Sequence, residues 1–216
     1  MKYFLSFIIL FNLAHLSGQS FDKKIEKLIN KNLSETIELR HWFHQNAELS
    51  NREFKTAERI AEELIKIGYE PTTGVAKTGV VAILNAGKPG PVVGLRADID
   101  ALPVKERADI PWASKMTGEY NGEEVPVMHA CGHDMHTAIL LATAKILYEI
   151  KDEIPGQVKF IFQPAEEGAP AGEEGGAELM VKEGVLKNPD VDAIFGLHVW
   201  SGLYAGQVYL RPEGIM

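Results

Sequence analysis

Four short segments hold polar residues that no packing need explains. The densest is Met128-His-Ala-Cys-Gly-His-Asp-Met-His136, with three histidines around the only cysteine of the chain. In an extended stretch, residues i and i+2 point the same way, so Cys131 and His133 can face one ion while Gly132 lets the backbone bend around it. Imidazole, thiolate and carboxylate together suit zinc or another first-row divalent metal. A lone cysteine otherwise reads as a small buried hydrophobe; beside His129, His133 and His136 the ligand reading is the stronger. The second segment, Phe162-Gln-Pro-Ala-Glu-Glu-Gly168, offers adjacent carboxylates that point in different directions. One can bind metal while its neighbour takes a proton from water; the alternative is a solvated acidic turn like Glu173-Glu174. The third, Arg96-Ala-Asp-Ile-Asp-Ala-Leu-Pro103, carries Asp98 and Asp100. These either orient a metal-bound histidine, bridge two metals, or cap a turn. The fourth places His198 in Phe195-Gly-Leu-His-Val-Trp200. His41 and His44, near Trp42, read as structural.

The elements that must position these residues follow from hydrophobic spacing. Helices are predicted over 22–46 (Ile25, Leu28, Ile29, Leu33, Ile37 and Phe43), over 54–67 (Ala57, Ile60, Ala61, Leu64 and Ile65), and over 134–150 (Ala138, Leu141, Ala144, Leu147 and Tyr148). Gly68 sits where a C-terminal cap glycine belongs. A short helix over 177–183 ends at Gly184. Strands are predicted over 80–84, 92–95, 158–162, 191–199 and 207–210, the first two joined by the turn 85–91. Strands alternating with helices indicate a layered α/β domain with a parallel or mixed sheet. Each polar segment then lies just beyond a strand or at a helix start, on the rim where open α/β sheets bind ligands. Gly168–Gly176 reads as a surface loop.

Composition narrows the function classes. Hydrophobic residues make up 45% and charged residues 24% of the 216-residue chain, an ordinary globular mix. Acidic residues outnumber basic ones by 30 to 22 with no basic cluster, which argues against nucleic-acid binding. One cysteine excludes an intrachain disulfide framework. Lys2, the apolar run Tyr3–Leu16, and Gly18 and Ser20 read as a secretory signal peptide over residues 1–20, cut before Phe21. The apolar run is too short for a membrane span of ~20 residues. Export to a periplasm or the medium, without stable membrane insertion, is therefore expected.

Taken in order, the four segments resemble the metal-dependent amidohydrolases of the aminoacylase and carboxypeptidase superfamily, in the branch of hippurate hydrolase, auxin-conjugate amidohydrolases and N-acetyl-diaminopimelate deacetylase. The resemblance covers nearly everything after residue 20. It implies a three-layer α/β/α zinc-peptidase-like domain, a reaction on N-acyl amino acids or similar small conjugates, and two divalent ions per site (zinc or manganese, with cobalt or nickel also admitted). By position it implies Cys131, His133, Glu167 and His198 as metal ligands and Glu166 as general base. Asp100 would orient a ligand, and His136 would sit by the substrate. Asp98 falls where the wider superfamily has a metal-binding histidine, and Asp134 falls near its metal-bridging aspartate, whose bridge Cys131 takes over. Dipeptides or peptide C-termini are alternative substrates, and a non-catalytic metal- or peptide-binding relative is the alternative class. Family chains are about twice as long, with a lid or dimerisation domain and one further metal-binding histidine, so 21–216 is expected to be the N-terminal part of a catalytic domain, inactive alone and dimeric or oligomeric when full-length.

Overall fold

The computed structural model describes residues 2–85 and 87–210, with residues 2–20 described by their backbone alone. The stretch Gly214–Met216, where the sequence stops soon after an expected strand, lies outside the described residues. The first helix, α1 (Lys2–Gln45), starts earlier than its charged, amphipathic part because no proline interrupts the apolar run before it. Among the described residues no helix is long and apolar enough to cross a membrane. The face that α1 turns inward differs from the expected one. Ile29, Leu33 and Ile37 are exposed, whereas Asn32, Leu39 and Phe43 are buried. The inward face tolerates Asn32 and Thr36 because both side chains donate to helix carbonyls one turn back, of Leu28 and Asn32 respectively.

Helix α2 (Phe54–Ile67) has the predicted bounds, although Ile65 is exposed rather than inward. Gly68 ends it at φ 114°, with its amide donating to the carbonyls of Leu64 and Ile65. The positive φ calls for glycine, and a Cβ there would in addition crowd the Tyr148 ring, 2.5 Å from its hydroxyl. Helix α3 (His133–Glu149) buries Ala138, Leu141 and Ala144 as expected, and α4 (Gly176–Lys182) is the short fourth helix.

Five strands form the main sheet: β1 (Thr72–Val75), β2 (Gly79–Asn85), β3 (Val92–Asp98), β6 (Gln157–Gln163) and β7 (Ala193–Gly196). Their spatial order is β1-β2-β6-β3-β7. The β1–β2 and β2–β6 pairs are antiparallel; β6–β3 and β3–β7 are parallel. The strands over 80–84 and 92–95 are thus present but do not pair, because the crossover through α3 returns β6 between them. Two further strands, β4 (Met116–Tyr120) and β5 (Glu123–Val127), make a separate hairpin that the hydrophobic pattern does not announce. The strand expected over 191–199 is shorter, and the one expected over 207–210 is absent: Val208, Tyr209 and Leu210 are exposed coil.

Alternation along the strands makes three layers. Val80, Ala82, Leu84, Val158, Phe160 and Phe162 face α1, α2 and α3. On the other face, Ile161 packs with Met180 of α4 and Val185. Lys159 breaks the apolar pattern of β6 on that second face, buried, with Nζ donating to the carbonyls of Val185, Lys187 and Pro189. Burial lowers its pKa. Lys159→Met removes three charge-assisted bonds and leaves carbonyls unpaired, so a loss of about 2–4 kcal/mol is expected in urea denaturation. A loss below about 0.5 kcal/mol would show that these bonds hold nothing in place.

Candidate metal centre

The three parallel strands β6, β3 and β7 end on one rim, and α3 begins there. Asp98 closes β3, and Asp100 follows two residues later. The β6 chain passes Pro164 and turns at Ala165, whose φ of 49° is rare for a residue with a Cβ, to bring out Glu166 and Glu167. Beyond β7 the chain leaves the sheet: the Val199 amide donates to His136 Nε2 (2.9 Å) instead of continuing a ladder, which aims His198 at the rim. Gly132 precedes α3 at φ 88°, where a Cβ would lie 2.5 Å from Val199 Cγ2. This glycine therefore sets both the turn and the close approach of the His198 segment.

His133 is held by one nitrogen and bare at the other. Its Nδ1 lies 2.8 Å from the Asp100 carbonyl and 3.2 Å from Asp100 Oδ1. Donation there fixes the proton on Nδ1. Nε2 is buried without a hydrogen-bond partner, 3.6 Å from Asp98 Oδ1 and 3.7 Å from both Glu166 Oε2 and Glu167 Oε1. Asp100 Oδ2 accepts from the Ser50 hydroxyl (2.7 Å) and the Glu167 amide (3.0 Å), so one carboxylate orients His133 and the Glu167 backbone together. Burial pushes the Asp100 carboxyl up, but the bonds from His133, Ser50 and Glu167 hold it below the usual range. His198 repeats the pattern: Nδ1 donates to the Val199 carbonyl (2.6 Å), which leaves Nε2 3.5 Å from Cys131 Sγ.

Ligand atoms of Cys131, His133 and Glu167 lie within 4.8 Å of one another, as do those of Asp98, His133, His136 and His198. The second group is largely spent internally. His136 Nδ1 donates to Asp98 Oδ1 (2.5 Å) while Nε2 accepts from Val199, and Arg96 Nη1 donates to Asp98 Oδ2 (2.8 Å). His136, expected beside the substrate, is instead buried with no ring nitrogen free to meet one; it braces the His198 segment. Of the four expected ligands, His133 has an unpartnered Nε2, and Cys131 Sγ and His198 Nε2 meet each other rather than the surrounding framework; Glu167 lies beside them with Glu166 alongside. Burial, and the Glu167, Glu166 and Asp98 carboxylates, raise the Cys131 thiol to about 11. An orphaned imidazole nitrogen and a thiol surrounded by acids fit a divalent cation.

Around this centre lie residues whose contacts the sequence did not reveal. Asp134 Oδ2 accepts from Arg40 (3.1 Å) and His44 (3.0 Å), and His44 reaches Glu106 (2.8 Å) with its other nitrogen. His44 is therefore structural, as read, and ties α1 to the start of α3. His129 is buried and its pKa is lowered to about 4 by burial, so it is neutral. A cleft of about 590 Å³ lined by His129, Cys131, His198 and Trp200 opens on one side of the centre. A second, of about 340 Å³, is lined by Ser50, Arg52, Tyr120, Glu167 and Glu173. The 168–176 loop forms part of its wall, pinned through Glu173 by Arg52 (2.6 Å) and Lys77 (2.6 Å). Glu173 is thus ion-paired rather than merely solvated.

Glu53 is also buried, accepting from the Thr78 hydroxyl (2.6 Å) and the Ala165 amide (2.9 Å). Burial raises its carboxyl to about 7 against those bonds. The folded protein therefore holds a proton that the unfolded chain releases from about pH 4.5 upward. The favourable contribution is full below that pH and is lost as pH rises through 7, ~3 kcal/mol in all. Glu53→Gln is neutral throughout, so it should gain stability over the native protein at pH 8 but not at pH 4. Urea midpoints at both values read this; parallel pH dependences would refute it.

The sequence profile of peptidase family M20/M25/M40 matches residues 94–213, more than half of the chain. The chain belongs to this peptidase family. Among the relatives of this M20 chain, thermostable carboxypeptidase 2 of Saccharolobus solfataricus is 43% identical over 196 residues, covering 89% of this chain and 47% of that protein. The N-acyl-L-amino acid amidohydrolase of Geobacillus stearothermophilus is 42% identical over 186 residues, with 86% and 46% covered. A solved dinuclear metal-binding M20 peptidase from Bacillus subtilis superposes with a TM-score of 0.66 at 42% identity, over 76% of this chain and 42% of its own. The M20 chain thus spans about half the length of the curated relatives it matches.

Proposed function

We propose that this M20 chain carries the N-terminal part of a divalent-metal amidohydrolase acting on N-acyl amino acids or similar small conjugates. The observation that carries the reading is the bare, buried Nε2 of His133 facing Glu166 and Glu167, with Cys131 and His198 beside it. Cys131, His133, Glu167 and His198 would hold the metal, two ions per site, with zinc or manganese the leading choices. When bound, a divalent ion supplies Lewis-acid polarisation of the scissile carbonyl and lowers the pKa of water there. The chain's own residues do the rest. Glu166, the more open of the pair at 35% side-chain exposure against 22% for Glu167, takes the proton of the attacking water and returns it to the leaving amine. Asp100 keeps His133 in the tautomer that presents Nε2. The 590 Å³ cleft is large enough for a small acyl group or amino-acid side chain.

A second reading, peptide or dipeptide hydrolysis, is favoured by the relative named a carboxypeptidase, at similar identity. The intact protein, given N-acetyl and N-benzoyl amino acids beside dipeptides, with and without chelator, decides between them. Chelator-sensitive release of the free amino acid from the acylated panel is expected. Preference for the dipeptides would transfer the assignment to the second reading, and no turnover of either panel would leave only the metal-binding role. Residues 21–216 alone are expected to turn over neither panel, since the relatives use about twice this length. We further propose export, on Lys2, the 3–16 apolar run and the small residues at 18 and 20, with Phe21 as the N-terminus of the secreted protein by mass spectrometry. A dimer in light scattering is the assembly proposed for the intact protein.

A further inference from the structure

We propose that Glu53 is a positioning residue for the hydrolytic pair: its buried carboxylate holds the left-handed turn at Ala165 that presents Glu166 and Glu167 to the metal centre. The proposal rests on the reading of those two glutamates as base and ligand. Glu53 occupies the cap position before α2, where a carboxylate ordinarily bonds amides of its own helix. It makes no such bond. Instead its two oxygens cross to other elements, Oε2 to the Thr78 hydroxyl (2.6 Å) and Oε1 to the Ala165 amide (2.9 Å).

Ala165 needs holding. Its φ of 49° lies in a region that residues with a Cβ seldom occupy, and such a conformation persists only where its surroundings enforce it. The surroundings do enforce it. Two residues beyond, the Glu167 amide donates to Asp100 Oδ2, so alternate amides of this turn are each gripped by a buried carboxylate. Ser50, three residues before Glu53, donates to that same Asp100 oxygen. The short segment Ser50–Glu53 therefore steadies both grips. On the far side of the turn, a Cβ at Gly176 would come within 2.8 Å of the Ala165 carbonyl, so the backbone is closed in there as well. Loss of the Glu53 acceptor frees Ala165 to relax to negative φ, which swings the Glu166 and Glu167 side chains away from His133 Nε2.

The test compares Glu53→Met, Glu53→Gln and Glu53→Asp in the intact protein. Met keeps the volume without the acceptor, Gln keeps an acceptor oxygen, and Asp keeps the charge but falls short of Ala165. The zinc dissociation constant, read by chelator competition, should weaken at least tenfold in the Met variant and stay within threefold in the Gln variant. On an N-acyl amino acid, kcat should fall about a hundredfold for Met with KM within threefold, and Gln should restore it to within fivefold. A packing role alone would be met by Met and Gln alike, leaving both near the native values. If the Met variant does not fold, the Asp variant decides, with a zinc constant at least fivefold weaker expected. Met or Asp variants that bind zinc as the native protein does, or a Gln variant as impaired as Met, would overturn the proposal. Should the native protein bind zinc yet hydrolyse no amide, the functional reading fails while the zinc constants still decide the role of Glu53.

Discussion

Glu166→Gln in the intact protein is expected to lower kcat about a thousandfold while metal content stays near the native value. The substitution changes chemistry at constant shape. Glutamine fills the same volume and keeps a polar tip, but it cannot accept a proton from water at neutral pH. General acid–base catalysis contributes about 10²–10⁴ to such reactions, and in the proposed reaction one carboxylate would serve both transfers. The four proposed ligands, Cys131, His133, Glu167 and His198, are untouched. KM should therefore move little. Metal content by mass spectrometry, beside steady-state kinetics, separates this from Glu167→Gln, which should lose metal as well as activity. Turnover within tenfold of native in the Glu166 variant would remove the base assignment.

The second large effect belongs to His133. It lies in both clusters of candidate ligand atoms, and its Nδ1 hydrogen bonds to Asp100. His133→Ala removes the central donor and strips Asp100, a buried carboxylate, of the hydrogen bond from His133 Nδ1. Divalent-metal affinity should fall more than a hundredfold. The metal-free protein should also lose about 2–4 kcal/mol of stability, because Asp100 keeps only the Ser50 and Glu167 bonds. Chelator competition gives the first number and urea denaturation in excess chelator the second. Native-like metal affinity in this variant would mean that the ion sits elsewhere.

The residues of this centre were legible in the sequence because each is chemically unusual where it stands. A thiol among imidazoles and a doubled glutamate after an apolar strand need no contact map. Local signals served equally well for α2 and for Gly68, whose positive φ follows from its place after the last helical turn. Non-local facts were hidden. Nothing in residues 80–84 or 92–95 says that β6 will lie between them, since pairing order is decided by the crossover through α3. The stripe of Ile29, Leu33 and Ile37 pointed to the wrong face of α1, because Asn32 and Thr36 satisfy themselves on helix carbonyls and can face inward. The β4–β5 hairpin did carry a signal, Asn121-Gly122, both at positive φ as a two-residue turn demands. His136 shares its motif with the proposed ligands, and only the structure shows that Asp98 and Val199 occupy both its nitrogens. Glu53 carries no signal in the sequence, and its reach to Ala165 is visible only in three dimensions.

A cation is predicted to sit among Cys131, His133, Glu167 and His198. X-ray absorption at the zinc edge of the zinc-loaded intact protein tests it most directly. A shell with sulfur at about 2.3 Å and imidazole nitrogen at about 2.0–2.1 Å is predicted, the sulfur vanishing in Cys131→Ser. A shell of nitrogen and oxygen alone, unchanged by that substitution, would contradict it.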